Sequence, residues 1–437
     1  VQEALKVRDP WLVVWAGVAT VLGLFFIFDA GFARSVQTGN GPIPREFVMQ
    51  CVFCVAGAVA WMIGSATGPD RIQKFAKIAW VASFLGLIAV KVLGHEQNGA
   101  QRWVDIGPVS IQPSEFVKLT VVLYLAAVFA DRAPWKVPKL RNPNLAKWLD
   151  HVAIPKFVRC LPAAYVLVAV FMIEKEPDLG TAAIIGATAF GMFVLGGASR
   201  WTLALGIGIS VFGAWFLVNQ ESYRLERIQS HFSRWDPSIV DDATYQTAQA
   251  ELAMADGGLF GVGIGAGRLK HLIAAPTTDF ILATIAEETG LVGALVVLGV
   301  LFGLAWRLFT LAGRASSRFA SLVLSGAGVW IAVQTCTNAL MANAFLPTIG
   351  IPLPFVSSGG SSLIALWLTL GVCNAMLVPG RQQAVEPQEE RNDANHRDRR
   401  RDGRAYLPRT GGSDVGARSG ARGDVLRVRS RTGTRVG

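Results

Sequence analysis

ADGGLFGVGIGAGRLKHLIAAPTTDFILATIAEETG, residues 255–290, is the stretch from which the rest of the chain can be read. A glycine-rich run ends in one acid, Asp279, directly before an apolar segment that continues from 280 to 311. Two more acids, Glu287 and Glu288, lie inside that segment. A run of this length crosses a bilayer with residues to spare, so it predicts a membrane helix that is tilted or extends beyond the bilayer. Ionisable groups at or below a membrane interface are costly, and each is therefore a candidate for function.

Segments of the same kind recur along most of the 437 residues. The chain is 52% hydrophobic and only 16% charged, where soluble proteins carry about a quarter charged residues. Spans are expected at 11–28, 47–65, 76–93, 115–130, 161–173, 181–197, 201–218, 280–311, 321–344 and 363–377. Lysine and arginine concentrate on the connections at 71–77, 132–159, 200 and 307–318. The positive-inside rule places these, and both termini, in the cytoplasm. The expected fold class is thus an all-α polytopic membrane protein of about ten transmembrane helices, with a large extracytoplasmic loop between helices 7 and 8. The first apolar block has no small-residue cleavage signature and reads as an anchor.

Pro379 opens a different composition, rich in Arg, Asp, Gly, Ser and Gln. Residues 379–437 read as a disordered, Arg-rich cytoplasmic tail beside a membrane domain at 1–378, and the tail carries more than half of the net charge of +10. Its arginines suit anionic membrane lipids or plain solvation. It lacks the interleaved aromatics of an RNA-binding segment, so no nucleic acid partner is expected. The five cysteines lie in apolar blocks and read as buried, reduced thiols, and the five histidines have no zinc-ligand spacing.

The outward loops at 98–113, 174–178, 219–279 and 343–360 carry most of the chemistry. In NGAQRWVDIGPVSIQPSEFVKL, 98–119, Arg102 precedes a helix start that Ser114 is expected to cap. Glu115 and Lys118 share one face of that helix, either as an ion pair that makes its end tolerable in lipid or as the charged wall of an outward-opening cavity. In EKEPDLGT, 174–181, Asp178 is placed to cap the next helix. In YRLERI, 223–228, Arg224 and Arg227 have the spacing to bind a phosphate or diphosphate, or to form a solvated pair. Residues 245–255 predict a short amphipathic helix on the outer leaflet.

The glycines at 257–267 have no preceding strand, which excludes a dinucleotide loop. They fit a re-entrant or tightly turning backbone packed close to a ligand or helix. LPTIGIPLPFVSSGGSS, 346–362, predicts rigid non-helical backbone, tolerated at membrane depth only where protein or a wet cavity covers it. Gln334 and Asn338, one turn apart, are assigned to hydrogen bonds between helices.

Taken in order, these motifs together with TTDFILATIAEETG resemble the signatures of the FtsW/RodA/SpoVE (SEDS) family over residues 11–377. The resemblance implies a ten-span peptidoglycan glycosyltransferase that polymerises lipid II on the outer face of the cytoplasmic membrane. It implies a class B penicillin-binding protein as partner, alongside other divisome or elongasome membrane proteins. The family's essential acid maps to Asp279, its charged pair to Glu115 and Lys118, and its PDLGT acid to Asp178. Arg102 and Arg224 align with family basic positions. Three departures stand out: Thr277 where the family usually has His, Ser358 where it often has Tyr, and FDAGFARS in place of a first span ending in SAS.

Under this resemblance an acceptor 4-hydroxyl attacks an anomeric carbon and displaces undecaprenyl diphosphate with inversion. Asp279 acts as the base or holds a Mg2+ or Mn2+ ion on the diphosphate, and no organic cofactor is expected. Arg102, Arg224, Arg227 and Lys118 stabilise the diphosphate. Glu287 and Glu288, about 12 Å or more along a helix from Asp279, are read as packing or hydrogen-bonding residues. The alternatives are a lipid II flippase or transporter and a non-enzymatic scaffold. The transporter reading would be favoured by an inverted repeat, which the sequence does not display.

Overall fold

Backbone that crosses hydrocarbon must satisfy its own polar groups, which restricts a non-barrel chain to helices wherever lipid touches it. The computed structural model of the protein describes residues 7–39, 41–97, 100–107, 109–131, 154–220, 222–236, 242–274 and 276–378, apart from some side chains within these ranges. The Arg-rich segment 379–437 lies outside the described residues.

Among the described residues each expected span falls on a helix. The elements are α1 (Pro10–Gln37), α2 (Arg45–Ala66), α3 (Pro69–Leu93), strands β1 (His95–Gln97), β2 (Ala100–Ile106) and β3 (Val109–Ile111), α4 (Pro113–Ala130), α5 (Ile154–Glu174) and α6 (Leu179–Leu195). They continue with α7 (Arg200–Gln220), α8 (Ser222–Phe232), α9 (Asp242–Gly257), α10 (Leu269–Leu272), α11 (Ile281–Ala312), α12 (Arg318–Ala342) and α13 (Gly360–Met376). Seven of the helices, α1–α4, α7, α11 and α12, are long and apolar enough to cross a membrane, and shorter apolar helices lie at Leu161–Glu174, Leu179–Leu195 and Gly360–Met376.

Close helix approach without Cβ atoms joins α2 to α13. A Cβ on Gly371 would stand 2.3 Å from the Trp61 carbonyl oxygen, and one on Gly64 would stand 2.9 Å from that of Leu368. Small residues at such crossings let dispersion and backbone contacts replace the hydrophobic drive that lipid removes. The centre is filled by α4 and α12, where Trp330 is fully buried and Trp80 of α3 stacks on Tyr124 at 5.1 Å. In contrast α7 buries no residue and presents Trp201, Leu205, Val211 and Phe212 outward, as a lipid-facing helix does.

The helix ends sort onto two faces. At one, the Arg8 guanidinium donates to the Asn374 and Ala375 carbonyls at the end of α13, while Asp9 pairs with Arg307 of α11. At the other lie the antiparallel sheet β1-β2-β3, the N-terminal ends of α4 and α6, and the loop between α12 and α13.

Several expectations are corrected. The 280–311 segment is not one continuous helix, because Gly290 adopts φ 71°, ψ −173° and breaks α11. The glycine-rich run is laid against that break: Val262 and Gly263 N–H donate to the Glu287 and Glu288 carbonyls at 2.9 and 3.1 Å, while Leu291 and Val292 N–H donate to Gly258 and Leu259 at 2.9 and 3.2 Å. The glycines are needed for this approach, since a Cβ on Gly257, Gly261 or Gly290 would stand within 2.3 Å of a carbonyl oxygen.

The amphipathic helix expected on the outer leaflet, now α9, packs instead on α11 through buried Thr247, Ala250 and Ala253, small side chains that admit a neighbouring helix. Ser114 does not cap α4: Gln112 is at the N-cap, and the Ser114 hydroxyl accepts from its side chain. The loop at 98–113 folds partly as a sheet, and the long outward loop contains the additional helix α8. The described cysteines are free, but only Cys373 is buried. Cys51 and Cys54 are half-buried and Cys336 is exposed.

Candidate active site

The peptide carbonyls of three consecutive residues, Thr277, Thr278 and Asp279, are each held from outside. Ser358 N–H donates to Thr277 at 2.8 Å, the Ser357 hydroxyl to Thr278 at 2.6 Å, and Asn338 Nδ2 to Asp279 at 3.0 Å. Two positions that depart from the family pattern, Thr277 and Ser358, are thus joined to each other through main chain. The Asp279 side chain is half-buried and faces Gly350, where a Cβ would lie 3.7 Å from Oδ2. Its main chain is fixed while its carboxylate has no hydrogen-bond partner among the described residues.

The loop opposite is braced in turn. Asn338 also donates to the Ile351 carbonyl at 2.8 Å, and Gln334 Nε2 to that of Pro352 at 2.9 Å. Gln334 bridges α12 to α4 by accepting from Lys118, as expected, and also holds loop backbone. The side-chain amide of Asn338 donates to the backbone of Asp279 and Ile351 instead of to another helix, which corrects its assignment. The Gly180 backbone packs so closely on this loop that a Cβ would meet the Ile349 carbonyl at 2.4 Å. That contact brings the 174–181 turn to the same place.

On that turn Asp178 caps α6, with Oδ1 accepting from Thr181 N–H at 3.0 Å and Oδ2 from Gln112 Nε2 at 2.9 Å. Arg102, on β2, donates Nε–H to the Glu176 carbonyl at 2.9 Å and NH2 to that of Pro177. Burial, with a further push from Asp178, raises the Asp279 carboxyl to about 6, against a pull from Arg102. Glu176 is more strongly perturbed. Burial first, then Asp178, raises it to about 8 despite Lys91 and Arg102, and neither of its carboxyl oxygens has a hydrogen-bond partner among the described residues.

Asp279, Asp178 and Arg102 are thus brought into one electrostatic neighbourhood, with Glu176 at its edge. Glu115 and Lys118 are not cavity walls. They form an ion pair at 2.7 Å inside the bundle, with side chains 4% and 1% exposed, because Gln334 at 3.4 Å and the Trp330 ring close over the ammonium. They reach the Asp279 region only through the Gln334 and Asn338 braces. The side chains of Arg224 and Arg227 lie outside the described residues, although the backbone of both falls on α8.

Glu287 and Glu288 serve the scaffold. Glu287 accepts from Arg268 and Leu269 N–H at the start of α10. Glu288 takes Lys270 at 2.7 Å, which also pairs with Asp29 at 2.6 Å. The first-span departure FDAGFARS therefore supplies a carboxylate to a buried triad. Gln112 and Glu176 were not singled out from sequence. The only cue to Gln112 was a polar residue immediately before the Pro-Ser helix start.

Among the described residues no three His, Cys, Asp or Glu side chains gather into a metal cage. A hard divalent cation would have to take its remaining ligands from a substrate's phosphate oxygens and water, an arrangement that Mg2+ commonly adopts and that Asp279 could join.

Comparison with known proteins agrees with this geometry. Dichelobacter nodosus has a probable peptidoglycan glycosyltransferase FtsW that is 35% identical over 74% of this chain and 79% of its own length. The corresponding Bacillus subtilis protein is 32% identical over 85% of this chain and 91% of its own. Among solved structures, a chain of a peptidoglycan synthase complex that coordinates polymerization and crosslinking superposes with a TM-score of 0.65 at 26% identity, covering 84% of this chain and 96% of that one. Thermus thermophilus rod shape determining protein RodA superposes with a TM-score of 0.58 at the same identity, covering 84% of this chain and 95% of its own. The cell cycle protein family FtsW/RodA/SpoVE matches residues 10–378, so the chain belongs to the FtsW/RodA/SpoVE family of polytopic membrane proteins.

Proposed function

We propose that the protein is a peptidoglycan glycosyltransferase that polymerises lipid II at the outer face of the cytoplasmic membrane, with Asp279 as its general base. The observation that carries this is a carboxylate on a rigidly clamped main chain, without a hydrogen-bond partner among the described residues and raised by burial to about 6. A hydroxyl nucleophile needs a base titrating near the working pH, and such a base is worth roughly 10²–10⁴-fold in rate.

In the step, the acceptor 4-hydroxyl gives its proton to Asp279 as its oxygen bonds to the donor's anomeric carbon. The bond to undecaprenyl diphosphate breaks, and the diphosphate leaves with the electron pair. Arg102 is the described cation that acts on Asp279, and it supplies positive charge where the leaving group becomes more anionic. We assign Arg224 and Arg227 to the same diphosphate on their spacing. Lys118, whose ammonium is closed off inside the bundle, acts with Glu115 on the braces instead. Mg2+ or Mn2+, when bound, would neutralise the diphosphate beside Asp279.

The FtsW names of the sequence relatives fit a role in cell division, and the synthase-complex neighbour fits a transpeptidase partner of the class B penicillin-binding type. We further assign both termini to the cytoplasm and residues 379–437 to a tail there. The decisive experiment supplies lipid II to the purified protein, with and without a partner transpeptidase, and scores glycan polymer. Wild type should polymerise and Asp279→Ala should fall by at least roughly 10²-fold. Equal activity in the two sinks the assignment of the base. No polymer from wild type under any condition favours a flippase or scaffold.

A further inference from the structure

The tip of the glycine-rich loop carries Leu259, Phe260, Val262 and Ile264, all exposed, and the segment has no charged residue between Asp256 and Arg268. Phe260 is 80% exposed, more than any other large apolar side chain among the described residues. In water such a cluster would be a liability. Its surroundings argue that it does not face water.

Depth is fixed from two helices. Arg307 and Asp9 pair at one face. Leu291, where the loop is tied to α11, lies 16 residues from Arg307, about 24 Å at 1.5 Å per residue. On α1, Asp29 lies 19 residues from Pro10, about 28 Å, and a Cβ on Gly265 of the loop would come within 3.7 Å of its Oδ1. Both measures put the loop at the far margin of a hydrocarbon layer about 30 Å thick.

Backbone chemistry agrees. Non-helical chain survives at that depth only if its polar groups are paired, and the four main-chain bonds to α11 around Gly290 supply that pairing at the tip. The exposed apolar side chains then continue the band formed by Leu291, Val292, Leu295 and Val296 on α11.

We propose that Leu259–Ile264 is inserted into the acyl chains of the outer leaflet, as a re-entrant wedge beside the segment that carries Asp279. The occupant of this surface is lipid hydrocarbon. The inference rests on the membrane character of the chain and is independent of the glycosyltransferase reading.

The test places a nitroxide at Phe260→Cys in the full chain, with the native cysteines replaced, reconstituted in phosphatidylcholine–phosphatidylglycerol nanodiscs. Ile264→Cys is the second site should the first variant fail to fold, and Arg314→Cys is the water-exposed control. Collision with oxygen relative to a nickel chelate should be at least roughly tenfold higher at the loop than at the control, since a polar chelate is excluded from hydrocarbon. A ratio equal to the control places the loop in water. A label immobile and reached by neither reagent places it under protein. Either result overturns the proposal.

Discussion

At the scale of single residues, the site is a set of opposed electrostatic influences on Asp279. Burial raises its carboxyl most, Asp178 raises it further, and Arg102 lowers it. A general base must be ionised, so kcat/KM of polymerisation should fall as pH drops through about 6 rather than through the usual carboxylate range. Arg102→Gln should move that acidic limb upward and Asp178→Asn should move it downward, a pair of opposite displacements that a merely structural disturbance would not produce. Glu176 yields a stability prediction. An acid raised from 4.5 to about 8 binds a proton in the native state that the unfolded chain has lost, so stability falls as pH rises between those values. Glu176→Gln removes that loss. Its thermal midpoint in detergent should exceed the wild-type value at pH 8, with the gap closing toward pH 4.5.

Among the elements, the broken helix α11 matters most. Gly261 has φ +81° and no room for a Cβ, which would stand 2.1 Å from the Glu288 carbonyl oxygen. Gly261→Ala should therefore cost roughly 1–2 kcal/mol from backbone conformation alone, plus the strain of parting the ladder. Gly186→Ala, within α6 and with nothing outside its own helix backbone within 4 Å of the added Cβ, should be neutral or mildly stabilising in the same melt. This contrast shows where sequence reading succeeds and where it stops. Periodicity and run length located the apolar helices, because lipid leaves backbone few alternatives. They could not show that 280–311 is interrupted: Gly290 is one glycine among many apolar neighbours, and the loop backbone that packs against it lies about 30 residues earlier in the chain.

The site was legible to a similar depth. Asp279 and Asp178 could be picked out as acids at helix starts. The burial of Glu115 and Lys118 depends on Trp330 and Gln334, more than 200 positions away, and no local pattern encodes such a contact.

At the scale of the molecule, and among the described residues, the two-faced arrangement gathers catalytic candidates at one end, and the Asp9–Arg307 ion pair with the Arg8 contacts at the other. The Lys270 triad, with one cation between Asp29 and Glu288, fastens α10 and α11 to α1 at the outer end. The clamp of Arg8 on the last turn of α13 has a further consequence, which concerns parity. Because Arg8 touches Asn374 and Ala375, the segment between them starts and ends on one side of the membrane, and so makes an even number of crossings. The seven long helices alone would make an odd number. The connection at 132–153 has no apolar run to supply another crossing. An odd number of the three shorter apolar helices is therefore expected to cross as well, although α6 and α13 have only 17 residues each. Epitope tags at the two ends should accordingly share one fate when intact spheroplasts meet protease, both spared or both cut.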